Sequence, residues 1–392
     1  MAEAAGEGFC LVSGGRSRQV LTRAGLAGPH WRQVAKRAVI LAAITWVPLL
    51  VLTLVRRFSL ARGAGIPFLD DLVVHVRLLV ALPLLAAGQQ ALDYWAGAFV
   101  RDLSRSALVP EDEAPGFRAA AEGMGRLRDS GVVELLLLAA AYARSYTIVT
   151  AGPMAALSSW RTLPTDSGAV LSPAGWWYLL VSLPIYHFLL YRWGWGFVVW
   201  TVFLWRLARS HLRLLPTHPD RAGGVGFAGA VQMRFGIVIF ALSAVLSATL
   251  AQRDLFLKIP VLSAQPMLIG FAIGAVVIAL APLLVFTPAL VRCRTQGLLE
   301  YADLGQRYTA DFHEKWIGRE PPERQVLLGS PDIQSLADLN NSFAVIRDMK
   351  PVPFDGNTVV VLAACAILPL LPLIFAVVPL ASILKKLAGV LF

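Results

Sequence analysis

WWYLLVSLPIYHFLLYRWGWGFVVWTVFLW, Trp176 to Trp205, is an apolar run of 30 residues whose reading decides the fold. As a helix rising ~1.5 Å per residue it would reach ~45 Å, against ~30 Å for the hydrocarbon core of a bilayer. Such a helix must tilt, kink or project into water. It continues into a basic tail, Arg206, Arg209, His211 and Arg213, and ends in the loop PTHPDRAGGVGF, Pro216 to Phe227. The reading adopted is one long span that hands the chain to this loop on the cytosolic side.

Composition agrees. Hydrophobic residues make up 57% of the chain and charged residues only 15%, against ~25% charged in soluble domains. An integral, all-α membrane protein is the direct reading. The formal charge of +10 follows membrane topology, as the distribution below shows, and does not point to nucleic acid. Cys10, Cys293 and Cys365 fall at no metal or disulfide spacing. Residues 1–37 carry six basic residues and no apolar segment with a small-residue cleavage site, so a basic cytosolic tail and no cleavable signal peptide are expected.

Further spans are expected near 38–55, 72–94, 131–150, 227–251 and 266–291, and from Thr358 onward, which makes a bundle of about seven. Residues 38–291 form its first six spans, with cytosolic loops at 97–130 and 206–226. Residues 292–356 form a cytosolic helical insert, and 357–392 a last span with an interfacial tail at Lys385 and Lys386. Within the insert, Leu298, Tyr301, Leu304, Tyr308, Phe312 and Trp316 recur at helical spacing. Glu320-Pro321-Pro322-Glu323 ends that helix, and Ser330 caps a second one with Pro331 at its first position. With the N-terminus inside, basic residues favour the inner segments about threefold, as the positive-inside rule requires. Splitting the fourth span at Arg192-Trp193-Gly194 would reverse everything after it and is disfavoured.

The stretch His218-Pro219-Asp220-Arg221-Ala222-Gly223-Gly224, followed by an apolar helix, resembles a loop of uncharacterised bacterial multi-pass inner-membrane proteins of similar length. A second stretch, SPDIQSLADLNNSF from Ser330 to Phe343, is similar to the same family pattern. The resemblance implies a bacterial inner-membrane location. It carries over no activity and no functional residue.

Charges inside spans are costly, ~2.5 to 3.5 kcal/mol each at the bilayer centre. The topology puts Asp93, Glu134, Arg192 and Arg234 near one level in the cytosolic leaflet, as a charge-paired layer with His187 deeper. The alternative is that each reaches the headgroups separately or serves only to hold the bundle together. Arg144 lies ~15 Å along its helix from Glu134 and needs another partner, a water-filled cavity or an anion. In the HPDRAGG loop, the amides of Gly223 and Gly224 beside His218 and Arg221 offer an anion contact at a helix N-terminus. The preferred reading there is a tight turn in which Asp220 caps the helix and the glycines let two backbones pass closely.

Gly224, Gly226 and Gly229 match G-x-G-x-x-G, but an apolar helix precedes them where a dinucleotide site needs a strand. His218-Pro219-Asp220 matches the tripeptide of J-domain cochaperones, yet a membrane span follows it. Nucleotide, zinc-protease, C-x-x-C and serine-hydrolase motifs are absent, so no catalytic residue, cofactor or metal is assigned. A membrane enzyme would have only His218 and Asp220 to offer, and the reading is against one. Two functions remain. The first is permeation or transport of a small anionic solute, with Arg144, Arg192 and Arg234 supplying the field. The second is a membrane scaffold or sensor whose 292–356 insert binds a protein partner.

Overall fold

The apolar runs fold as helices because a bilayer offers backbone N–H and C=O groups no other partner. The computed structural model describes residues 10–12, 14–15, 22, 30–59, 66–151, 160–165, 168–318 and 331–373. The expected proline break at 320–323, the Ser330 cap and the tail at Lys385 and Lys386 lie outside the described residues. Nine helices of 15 residues or more are described, numbered here in chain order. They are α1 (Trp31–Ser59), α2 (Leu72–Arg105), α3 (Ala114–Arg128), α4 (Gly131–Ala151), α5 (173–209), α6 (Phe227–Leu257), α7 (Val261–Trp316), α8 (Pro331–Arg347) and α9 (Gly356–Leu373).

The protein is thus an all-α membrane bundle. Among the described residues six helices, α1, α2, α4, α6, α7 and α9, are long and apolar enough to cross a bilayer. The helix that opened the sequence reading, α5, is not among those six, because its Trp, Tyr and Gly residues and Arg192 dilute its hydropathy. One face of it is nonetheless deeply buried. Tyr186, Trp193, Trp200 and Leu207 recur every seven residues along it and all are buried. Trp193 donates to the Leu85 carbonyl at 2.9 Å, and Trp200 to Gln232 Oε1 at 2.9 Å. The same Gln232 amide reaches the Ala279 carbonyl. Two indole N–H groups therefore tie α5 to α2 and α6, and Gln232 in turn ties α6 to α7. The disfavoured split at Arg192–Gly194 does not occur, since the helix is unbroken from Leu183 to Arg209.

Several boundaries differ from expectation. Helix α1 starts at Trp31, within the supposed tail, and its Arg37 is buried against the Ala86 carbonyl. The loop 97–130 is largely helical: α2 runs on to Arg105, and α3 buries Phe117, Ala121, Met124 and Arg128 along one face. The first helix of the insert is no separate unit, for α7 continues from the apolar span as far as Trp316, 56 residues in all. A short antiparallel hairpin, β1 (Thr162–Thr165) and β2 (Gly168–Leu171), occupies part of the loop before α5, with Thr162 opposite Leu171.

Two helices carry one π-turn each, Val76–Ala81 in α2 and Tyr178–Ser182 in α5. Both are followed at once by Leu-Pro, Pro83 and Pro184. A proline lacks the N–H that would close the preceding turn and crowds the carbonyl four residues back, so the turn widens. For Pro184 that carbonyl belongs to Leu180, and the Tyr142 hydroxyl of α4 donates to it at 3.1 Å.

Candidate functional site

A polar cluster sits where residues 10–12, 14 and 15 lie against α2, α3 and α5. Asp93 Oδ1 accepts from the amides of Leu11 at 2.6 Å and Val12 at 2.8 Å. From α5, Arg192 donates to the Val12 carbonyl and, at 3.2 Å, to that of Gly14. Arg128, at the end of α3, donates to the Cys10 carbonyl at 2.8 Å, while Asp129 Oδ1 accepts from the Gly15 amide at 2.7 Å. Arg128 and Asp129 also pair with each other, Nε to Oδ1 at 2.8 Å and Nη2 to Oδ2 at 2.5 Å. Burial pushes the Asp129 carboxyl up, but Arg128, the Gly15 amide and Arg192 outweigh it and hold the group below the ordinary carboxylate range.

Small residues make this fit possible. A Cβ on Gly14 would lie 2.2 Å from both Arg128 Nε and Asp129 Oδ1. One on Gly196 of α5 would lie 2.6 Å from the Val12 side chain. Leu11 and Val12 are each 1% exposed and join the main hydrophobic core beside Trp193 and Trp200. Asp93, Asp129, Arg128 and Arg192 all meet the main chain of this segment.

Of the four residues expected in a charge layer, Asp93 and Arg192 meet here through the N-terminal segment. Glu134, in the first turn of α4, lies close to Gly15, and its charge acts on Arg192. Arg234 is elsewhere: its guanidinium lies 4.5 Å from the centre of the Trp95 ring. Arg144 is exposed on α4 and donates to Thr147 of its own helix at 3.3 Å. His187 is buried, with Nδ1 3.1 Å from Ser145 Oγ and its ring near those of Tyr186 and Tyr191. Missed in the sequence were Arg128, Asp129 and residues 10–12, 14 and 15. The one available signal was Gly14-Gly15 following the apolar pair Leu11-Val12 inside a basic tail.

The HPDRAGG loop spends its donors within the chain. Asp220 accepts from the amides of Ala222 at 2.8 Å, Gly224 at 3.1 Å and Gly226 at 2.9 Å, and its Oδ1 lies 2.8 Å from His218 Nδ1. Burial alone would raise the Asp220 carboxyl; these amides and His218 hold it below its ordinary value. Arg221, Gly223 and Gly224 have positive φ, and a Cβ on Gly224 would meet the Leu108 side chain at 2.6 Å. The Arg221 carbonyl accepts from the Lys350 amide at 2.7 Å, and Gly223 is wedged beside Leu214, Met349 and Leu290. Of the residues offered for an anion contact, His218 and the Gly224 amide are engaged by Asp220, the turn arrangement preferred in the sequence reading.

A third network lies at the other end of α2, 22 residues or ~33 Å from Asp93. Asp71 Oδ2 accepts from Arg161 at 2.6 Å and Trp160 at 3.0 Å, and Oδ1 accepts from the Val74 amide at 3.2 Å. Burial would raise the Asp71 carboxyl, but Arg161 and these donors hold it down. Arg161 lies over the rings of Trp160 and Tyr178. The Tyr178 hydroxyl in turn accepts from Arg77 at 2.6 Å. In sequence Arg161 was only a loop charge, because its partner lies 90 residues away. Among the described residues no group of His, Cys, Asp and Glu is placed to hold a metal. The chain matches no family model, no curated protein and no solved structure.

Proposed function

We propose that the protein is a multi-pass scaffold or sensor of a bacterial inner membrane, N-terminus cytosolic, whose arm of α7 and the helix packed on it, α8, engages a protein partner. The observation that carries this reading is the continuity of α7. Its membrane part exposes Ile269, Ile273, Val277 and Ile278 for lipid. It then runs ~37 Å past Val291 to Trp316, where Lys315 and Trp316 bond Asp332 at the start of α8, at 2.7 and 2.9 Å. Beyond a 3-10 stretch at Ala281–Phe286, Thr287–Trp316 is one unbroken α-helix, so a shift at the inner end of the span is carried to the arm. The charges assigned to a permeation pathway support the same choice: Arg192 is engaged by main-chain carbonyls and nearby acids, and so supplies little field to a solute.

Permeation of a small anion is kept as a second reading on one observation. Arg77 is buried, bonds the Tyr178 hydroxyl and lies over the Tyr186 ring, and among the described residues it forms no ion pair. Flux measurements on liposomes separate the two. The scaffold predicts no chloride, phosphate or small-carboxylate flux from folded protein, and photo-crosslinks from Thr309 or His313 in cells to one recurring protein. Flux that R77Q abolishes would overturn it in favour of the permease.

A further inference from the structure

Five arginines are buried among the described residues, Arg37, Arg77, Arg128, Arg161 and Arg192. Four of them meet a main-chain carbonyl or a carboxylate: Arg37 the Ala86 carbonyl, Arg128 that of Cys10, Arg161 the Asp71 side chain and Arg192 the Gly14 carbonyl. Among the described residues Arg77 meets neither. It is 8% exposed, its hydrogen bond runs from Nη1 to the Tyr178 hydroxyl at 2.6 Å, and its guanidinium carbon lies 5.5 Å from the centre of the Tyr186 ring. Its Nε is buried and has no acceptor among the described residues. Nε and Nη2 form the edge of a guanidinium that takes a carboxylate or a phosphate through two parallel bonds. The nearest acid in sequence, Asp71, is engaged by Arg161. The charges of Arg77 and Arg144 both bear on the buried His187, and among the described residues no carboxylate does. A cation so enclosed in a membrane bundle is costly without an opposite charge. The bond from Arg77 to Tyr178 also joins the two π-turns, Val76–Ala81 and Tyr178–Ser182, and such turns recur at functional sites. We propose that Arg77, where the two π-turns meet, holds one small oxyanion, a carboxylate or a phosphate, on its Nε edge. The site lies ~24 Å along α2 from Asp93, apart from the polar cluster there. It requires an anion that is held, and so stands whether or not the protein conducts. A free anion and the phosphate of a lipid headgroup share this chemistry.

The test is thermal unfolding of the full-length protein in maltoside micelles, which carry no phosphate, with ionic strength held constant by sodium chloride. Acetate and inorganic phosphate, exchanged for chloride over roughly 1–50 mM, should raise the wild-type midpoint along a saturating curve by about 2 °C. Arg77→Gln should not respond. If the headgroup is the source, phosphatidylglycerol should raise the wild type and not R77Q, diacylglycerol with the same chains should raise neither, and the free anions should do nothing. Either pattern supports the site and identifies where its anion comes from. No shift of the wild type with any of these additions, or equal shifts in wild type and R77Q, would overturn the proposal. Should R77Q fail to fold, NMR of the wild type carrying isotopically labelled arginine decides. One slowly exchanging Nε–H signal should then move with the same saturation as the midpoint, and signals that all stay in place would overturn the site.

Discussion

At the scale of single residues, the buried carboxylates set the energetics. Asp71 is 1% exposed and faces Arg161, whose side chain is 10% exposed. Removing one member of such a pair leaves the other as an uncompensated buried charge, which costs about 3–5 kcal/mol. Asp71→Asn is therefore expected to lower unfolding stability by about that amount, and D71N with R161M by clearly less, in a double-mutant cycle read by SDS or thermal unfolding. Equal loss in both would mean that the pair adds nothing. Asp220 gives a pH signature. Its folded carboxyl is held below the unfolded value, so its stabilisation is present above the ordinary carboxylate range and is lost as pH falls through the folded pKa. Wild-type stability should drop on acidification below about pH 4, while Asp220→Asn should be less stable at neutral pH and shallower in its acid limb. Parallel profiles would exclude Asp220 as a contributor.

At the scale of elements, the paired Leu-Pro sites govern how α2 and α5 turn. The Leu180 carbonyl, freed by Pro184, is met by Tyr142. Tyr142→Phe should cost about 0.6 kcal/mol, the mean for side-chain bonds between bilayer helices. In a Pro184→Ala background the backbone N–H of residue 184 can serve that carbonyl, so the same change should cost nothing there. An undiminished cost in the double variant would separate the tyrosine from the proline. Elements also explain why the polar segment 97–130 misled: α2 and α3 keep burying residues such as Phe99, Leu103 and Phe117 well past the point where charges begin. Hydropathy averages both faces of a helix, and only one of them is buried.

At the scale of the whole molecule, the bundle and the arm are joined at a defined place. Ile346 is fully buried, Met349 nearly so, and the Lys350 amide bonds the Arg221 carbonyl of the HPDRAGG loop. Deleting 318–350 should therefore destabilise the bundle itself, whereas replacing 304–340 with a short Gly-Ser linker should leave its thermal unfolding within about 0.5 kcal/mol of wild type. Loss of folding in the linker replacement would make the arm part of the core. The sequence by itself determined that this chain is helical and lives in a membrane, and located six spans and the central α5, because the length and apolarity of a run are local properties. It also brought out Asp93 and Arg192 as residues needing partners, since a buried charge is costly wherever it lies, and Asp220 as the cap of its own turn. Only the tertiary structure decided who those partners are. Arg192 holds the carbonyls of residues 12 and 14 from some 180 positions away, and Asp71 holds Arg161. Main-chain partners carry no side-chain signature, and which helices adjoin is settled by packing across the whole bundle.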